Sequence, residues 1–113
     1  MAVVRFDALR TLAFGGISGT YAVVGGPLTV NWRIFKITND TNGNLLVSLN
    51  GTTDNLFVPA NGFVLYDLAT NSSPLSVTDN FVMQIGTQFY VKQSTAPTSG
   101  AIWIEGIYVR GTQ

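Results

Sequence analysis

Residues 101–109 read AIWIEGIYV, a run in which apolar side chains occupy almost every position. Successive side chains of an extended strand point to opposite faces, so Trp103 and Ile107 share one face while Ile104 and Tyr108 share the other. Because both faces are largely apolar, the run predicts a strand that is covered on both sides. In a small antiparallel domain, this pattern predicts that one face of the sheet packs against another subunit.

Similar short runs, rich in β-branched and aromatic residues, recur along the whole chain between turn-forming residues such as Asn42-Gly43 and Asn61-Gly62. Longer polar connections at 69–80 and 93–100 are predicted surface loops or crossovers. The runs predict an all-β fold, a jelly-roll-like, two-sheet antiparallel β-sandwich of about eight or nine strands in a single domain spanning residues 1–113. The predicted strands are residues 10–18, 21–25, 30–38, 45–49, 56–59, 63–68, 81–86, 88–92 and 101–109.

Residues 1–10 form a predicted N-terminal arm that carries apolar side chains without an obvious place in the sandwich. These side chains are Val3, Val4, Phe6 and Leu9. Their spacing is compatible with a short helix, but β-branched residues weaken that interpretation and an extended arm competes with it. Two arrangements remain open, in which the arm docks either onto a neighbouring subunit or onto its own domain.

The chain carries little charge. Its six Lys and Arg balance six Asp and Glu, and charged residues make up 11% of the sequence, against about 25% in ordinary globular domains. A net charge near zero removes the repulsion that keeps monomers apart, so we expect partners to cover much of the surface. The basic residues are scattered rather than clustered, which predicts no nucleic-acid partner.

The sequence contains no Cys and no His, which excludes disulfides, thiol nucleophiles, imidazole chemistry and the usual zinc ligands. The spacing of the acidic residues does not argue for a catalytic pair, and four of the six lie in or beside turns, where Asp is favoured. We therefore predict no enzyme, no cofactor and no metal site. An irregular calcium site at Asp40 or Asp54 is the alternative, because the EF-hand pattern fails at its glycine and glutamate positions.

Residues 11–32 carry no charge and are long enough for a membrane span or a signal-peptide core. Glycine, proline and polar residues interrupt the stretch, so it predicts short strands and turns and no membrane partner.

Aromatic residues suggest a carbohydrate-binding module as a rival function, with Trp32, Trp103, Tyr66 or Tyr108 exposed in a row beside Asn or Asp. The competing interpretation, which we favour, places these rings in the core or in a protein interface. The residues that we expect at such an interface are Val3, Val4, Phe6, Leu9, Trp32, Trp103 and Tyr108.

Several strand-and-turn motifs give the chain a family resemblance along almost its whole length. It resembles the small structural proteins of tailed bacteriophages, and the motifs carry no catalytic signature. They are RTLAFGGI at 10–17, Y-x-x-V-G at 21–25, ITNDT at 37–41, S-L-N-G-x-x-D at 48–54, VPA at 58–60, D-L-x-x-N at 67–71 and GTQFYV at 86–91.

This resemblance implies a component of the virion, assembled in the host cytoplasm. The function it favours is that of a capsid decoration, or cement, protein that stabilises the shell by oligomeric packing, and a head–tail or tail component is the alternative. Decoration proteins of this kind are commonly β-rich trimers above junctions between capsid subunits. The partners implied are therefore further copies of the chain, with a trimer favoured, and the major capsid protein or other virion proteins.

Overall fold

The computed structural model describes residues 2–68 and 82–111, which form nine strands and one short 3-10 helix. The helix spans Phe14–Gly16. The strands are β1 (Ala2–Phe6), β2 (Arg10–Ala13), β3 (Ala22–Val23), β4 (Ile34–Thr41), β5 (Leu45–Ser48), β6 (Leu56–Val58), β7 (Phe63–Asp67), β8 (Tyr90–Gln93) and β9 (Gly100–Gly111).

The strands form two antiparallel sheets that pack into a sandwich. The larger sheet has five strands, in which β1 and β2 lie end to end along one edge of β9, while β4 and then β7 follow on the other side. The smaller sheet has the order β3-β8-β5-β6. The orders β2-β9-β4-β7 and β3-β8-β5-β6 are those of a jelly roll, to which β1 adds an edge strand. The predicted all-β, jelly-roll-like sandwich is confirmed.

The core lies between the two sheets and follows from the alternation within the strands. Along β4 the odd-numbered positions from Phe35 to Thr41 are buried, and along β9 Ile102 and Ile104 face the same interior. The ring of Phe89 lies 5.7 Å from that of Trp32 and 5.9 Å from that of Phe35, measured between centroids. The buried apolar residues form one cluster, consisting of Ile17, Val24, Leu28, Trp32, Phe35, Ile37, Leu45, Val47, Val58, Phe89, Val91, Ile102 and Ile104.

Four predicted strands, 45–49, 56–59, 63–68 and 101–109, match β5, β6, β7 and β9 to within one or two residues at each end. The predicted strand 30–38 corresponds to β4, which begins four residues later and ends three residues later, at Ile34–Thr41. It begins later because Trp32 turns inward and is joined to Met83 only by an isolated bridge.

The other strand predictions need correction. The predicted strand 10–18 ends at Ala13, where the chain enters the 3-10 helix, and the predicted strand 21–25 is reduced to β3. The predicted strand 88–92 shifts to β8. Residues 82–86 form no strand, because Gly86 has a left-handed φ of 93° and the amide of Thr87 closes a turn onto Gln84. Residue 81 and the predicted loop 69–80 lie outside the described residues.

The N-terminal arm forms β1 and docks onto its own domain, the second of the two predicted arrangements. Val4 pairs with Val109 and Phe6 with Ile107 in an antiparallel register. The pairing of β4 with β9 ends at Ile107, so β1 and the last residues of β9 continue as a two-stranded ribbon. Because such a ribbon is only marginally stable in water, contacts that bury its side chains strongly affect its stability.

Candidate interaction face

The side of the larger sheet that faces away from the core carries an exposed apolar surface. We call this surface the outer face. Phe6 is 74% exposed and Leu65 57%, values that are unusual for large apolar side chains on a regular sheet. The outer face includes Val4, Phe6, Leu9, Ile34, Lys36, Thr38, Asp40, Phe63, Leu65, Asp67, Trp103, Glu105 and Ile107.

Strand register arranges these side chains into rows across the sheet. In the first row Phe6 of β1 is opposite Ile107 of β9, which is opposite Ile34 of β4. Side chains that are directly opposite on neighbouring antiparallel strands lie about 5 Å apart at Cβ, close enough to form a continuous surface. The row is therefore an apolar band that crosses three strands.

The second row places the charged residues in the middle of the face. Glu105 of β9 is opposite Lys36 of β4, and Lys36 is opposite Leu65 of β7. The Lys36 ammonium lies 4.7 Å from the centroid of the Phe63 ring, a cation–π contact that holds the side chain against the sheet. Lys36 and Glu105 thus lie side by side in the middle of the face, and two further carboxylates, those of Asp40 and Asp67, lie toward its opposite ends.

Two shallow depressions adjoin one another on the outer face and share Glu105. Leu9, Thr38, Asp40, Trp103 and Glu105 line the first. The second is lined mainly by the apolar side chains of the first row together with Lys36 and Leu65. An apolar surface with a few separated charges is suited to burying area against another protein.

The structure brings four of the predicted interface residues together. Val4, Phe6, Leu9 and Trp103 come from β1, the β1–β2 connection and β9, and all four lie on the outer face. Val3 pairs with Arg110 through the backbone, and its side chain is outside the described part of the structure. The role of these residues in an interface stays a prediction.

Two predicted interface residues lie elsewhere. Trp32 is fully buried in the core, so its assignment to an interface is corrected: the ring packs on Phe89 and is shielded within the chain. Tyr108 lies on the opposite side of β9 from the outer face and packs against the core cluster. It occupies the inner row because it is an even-numbered position on β9, like Ile102 and Ile104.

Sequence reasoning missed the contribution of β4 and β7 to the outer face. Ile34, Phe63 and Leu65 are exposed or half-buried there. The alternation of Phe63 and Leu65 within a predicted strand was a usable signal. What it could not give was the strand pairing that places these side chains beside Lys36.

An ionic cluster fixes the connection between β1 and β2, which carries Leu9. The indole Nε1–H of Trp32 donates a hydrogen bond of 2.9 Å to Asp7, and the Arg10 guanidinium lies 3.4 Å from the same carboxylate oxygen. Arg10 also lies 4.9 Å from the centroid of the Trp32 ring. The cluster ties the arm to the core and so determines where Phe6 and Leu9 lie on the outer face.

The electrostatics of this cluster are visible in the pKa of the Asp7 carboxyl. Burial raises that pKa, but the hydrogen bonds from the Ala8 amide, from Trp32 and from Arg10, with the charge of Arg10, outweigh burial. The pKa of Asp7 therefore lies below its ordinary value of 3.8, and the carboxylate is ionised when it accepts these bonds.

A second group of titratable residues lies near the smaller sheet. The Tyr21 hydroxyl donates a short hydrogen bond to Asp54, and the Lys92 ammonium lies 3.2 Å from that carboxylate. Burial, followed by the hydrogen bond to Asp54 and its charge, raises the pKa of Tyr21 from 10.0 to about 12. The hydrogen bonds from Tyr21 and Lys92 lower the pKa of Asp54.

The two carboxylates considered for calcium have different surroundings. Asp54 is neutralised by Lys92, while Asp40 lies on the rim of the first depression. Within residues 2–68 and 82–111, no three acidic, His or Cys side chains gather in a way that could hold a metal ion.

In the same two segments, no helix is long and apolar enough to cross a membrane. No protein-family profile and no curated protein matches this chain.

Proposed function

We propose that this chain is a non-enzymatic structural subunit that assembles with other protein subunits through the outer face of its larger sheet. The observation that carries the proposal is the band of Phe6, Ile107 and Ile34, with Leu65 beside it, on a surface that no other part of the described chain covers. Large apolar side chains gathered in one patch are typical of protein contacts rather than of free surface.

Burial of this face would stabilise an assembly. Each Å² of apolar surface removed from water contributes about 25 cal/mol, and a specific contact buries roughly 800 Å² on each partner. Many symmetric copies in a shell would sum such contributions. The low charge of the chain supports the same proposal, because few charged groups would have to lose water on assembly.

The resemblance described above extends the proposal to a specific setting. We propose a bacteriophage virion protein, most simply a capsid decoration protein that packs against the major capsid protein and against copies of itself, with assembly in the host cytoplasm. A head–tail or tail component is the second possibility within the same class. The trimer is an expectation from the resemblance, and the outer face is compatible with it as one of several contact surfaces.

The carbohydrate-binding alternative receives less support. It requires exposed rings in a row, whereas Trp32 is buried and Tyr108 packs against the core. Tyr66 is 39% exposed, but it lies on the side of the sheet opposite the outer face and stacks on Phe35 at 5.2 Å between centroids. Among the predicted aromatic candidates, Trp103 is the one that lies on the outer face.

A cryo-EM map of a tailed-phage particle that encodes this chain tests the proposal, with mass spectrometry of the purified particle to establish that the chain is present. We expect density for the jelly roll in many symmetric copies, with Phe6 and Leu65 against a neighbouring subunit. Absence of the chain from the particle would contradict the virion assignment. A particle in which the outer face is in solvent would contradict the proposed role of that face.

A further inference from the structure

We propose that the outer face binds the outer face of a second copy of this chain across a twofold axis. The axis lies between the two facing sheets, parallel to β4 and β9 and over the midline between these two strands. This inference rests on the proposed function, namely that the outer face is a protein interface. It adds the identity of the partner and the orientation of the contact.

The arrangement of charge carries the inference. Lys36 and Glu105 are directly opposite each other on neighbouring antiparallel strands, and both point away from the core. Among the described residues of the outer face, Lys36 is the one cation, and neither Lys36 nor Glu105 takes part in an ion pair within the described chain. Charges that would be buried in a contact need a partner of opposite sign.

Symmetry supplies that partner. In the aligned class of face-to-face packing, two sheets hold their mean strand directions within about 30° of each other, so an interfacial twofold axis in that class lies nearly parallel or nearly perpendicular to the strands. A parallel axis between β4 and β9 lays β4 over the second copy's β9. Lys36 of each copy then faces Glu105 of the other, giving two reciprocal ion pairs in an isologous contact.

The perpendicular axis lacks this complementarity. It lays β4 over the second copy's β4 and β9 over its β9. Lys36 then faces Lys36, a neutral residue or, if the axis passes at Thr38, Asp40 of the second copy, whereas Glu105 faces only Glu105 or a neutral residue of β9. The Glu105 carboxylate therefore gains no cation in any register of the perpendicular axis. An interface that opposes like charges costs several kcal/mol, on the order of a thousandfold in affinity, and a buried carboxylate without a cation is unfavourable as well, which selects against this orientation.

The apolar residues agree with the parallel axis. Ile34 and Ile107 are opposite each other one row from the charged pair, so the axis also places Ile34 of one copy over Ile107 of the other. Leu65 of one copy comes over the β1–β2 connection of the other, where Leu9 lines the first depression. The charged pairs would then be enclosed by apolar contacts. Closed assemblies can combine twofold and threefold axes, so this contact can coexist with a trimer.

Two charge reversals test the orientation. In Lys36→Glu, carboxylates face each other at both contacts of the proposed dimer, and in Glu105→Lys, ammonium groups do. We expect each variant alone to self-associate at least about tenfold more weakly than the unaltered chain, since like charges are opposed. A mixture of the two variants restores opposite charges at both contacts, so we expect mixed dimers with an affinity near that of the unaltered chain.

Sedimentation equilibrium of each variant and of the equimolar mixture gives these affinities, and thermal unfolding of each variant establishes that it folds. A mixture that associates no more tightly than its components overturns the inference, as does a single variant that associates as tightly as the unaltered chain. The proposed function fails separately: it is contradicted if the unaltered chain does not associate or if Leu65→Glu leaves its association unchanged. If Leu65→Glu abolishes association and the mixture of the two charge variants does not associate more tightly than its components, the outer face remains the interface. The proposed twofold orientation is then wrong.

Discussion

Gly106 lies directly against the indole ring of Trp32, on the core side of β9. A Cβ built on Gly106 would overlap the ring carbons of Trp32, well inside van der Waals distance, so the ring or the strand would have to shift. Trp32 occupies this space fully buried and donates its indole N–H to Asp7. The glycine in the centre of β9 is therefore a packing requirement of the tryptophan.

We expect Gly106→Ala to destabilise the fold, because the methyl group has to displace the largest buried side chain. Overpacking of a core typically costs about 1–3 kcal/mol of unfolding free energy. Urea denaturation of the two proteins measures the difference. Gly19→Ala is the matched control, because its Cβ meets open space, and a loss of stability no greater than in this control would contradict the account.

The Asp7 carboxylate should make the stability of the domain depend on pH. Because the pKa of Asp7 is lowered in the folded state, its contribution is fully present above its ordinary pKa of 3.8 and is lost as pH falls through the lower folded value. We expect Asp7→Asn to cost about 1–2 kcal/mol of unfolding free energy at neutral pH, since a hydrogen bond to a charged group is weakened. The cost should shrink below pH 3.8, and a difference that stays constant with pH would refute this assignment.

The Tyr21 hydroxyl should lose its proton at a higher pH than an ordinary tyrosine. Its pKa of about 12 means that the stability tied to its proton is fully present below pH 10.0 and is lost as pH rises through the folded value. The difference in tyrosinate absorbance between the unaltered chain and the Tyr21→Phe variant, followed against pH, isolates the ionisation of Tyr21. We expect Asp54→Asn to move the transition back toward 10.0, and ionisation of Tyr21 at its ordinary pKa in the unaltered chain would disprove the contact with Asp54.

The buried amide of Asn39 should be important for stability. Its Nδ2 lies 2.8 Å from the carbonyl oxygen of Gly43 and 3.0 Å from that of Val58, and its Oδ1 accepts bonds from the amide and hydroxyl of Thr41. Removing the side chain leaves these buried groups unpaired. We expect Asn39→Ala to lower the unfolding free energy by about 2–4 kcal/mol.

Asn42→Ala is the matched control for that measurement. Asn42 also bonds to Thr98, but it is exposed, so water can replace the lost contacts. We expect an effect of less than about 1 kcal/mol, as for most surface substitutions. Equal losses in the two variants, compared by urea denaturation, would show that burial of Asn39 has no special importance.

The strands and their alternation could be read from the sequence because they depend on local pattern. The alternation in residues 101–109 puts Ile104 and Trp103 on opposite faces, as β9 does, although it does not say which face is the core. Pairing is a long-range property, and the sequence could not show that β4 joins β9 or that Lys36 meets Glu105. The two-sided apolar pattern of β7 likewise does not say which of its faces is covered.

Trp32 shows why a candidate residue can be misassigned. It lies between Asn31 and Arg33, and this polar setting resembles that of a surface aromatic. The cavity that receives it is made by Gly106, more than seventy residues along the chain, and by Phe89. The apolar residues of the arm could be identified from sequence, because Val4, Phe6 and Leu9 had no strand partners of their own there.

The central claim is that another protein subunit covers the outer face, and the molar mass of the purified chain as a function of concentration tests it most directly. We expect association at micromolar concentration, loss of that association in Leu65→Glu, and its retention in Phe57→Glu, which alters a large apolar side chain of similar exposure on the smaller sheet. A chain that stays monomeric over the whole concentration range, or equal effects of the two substitutions, would contradict the account.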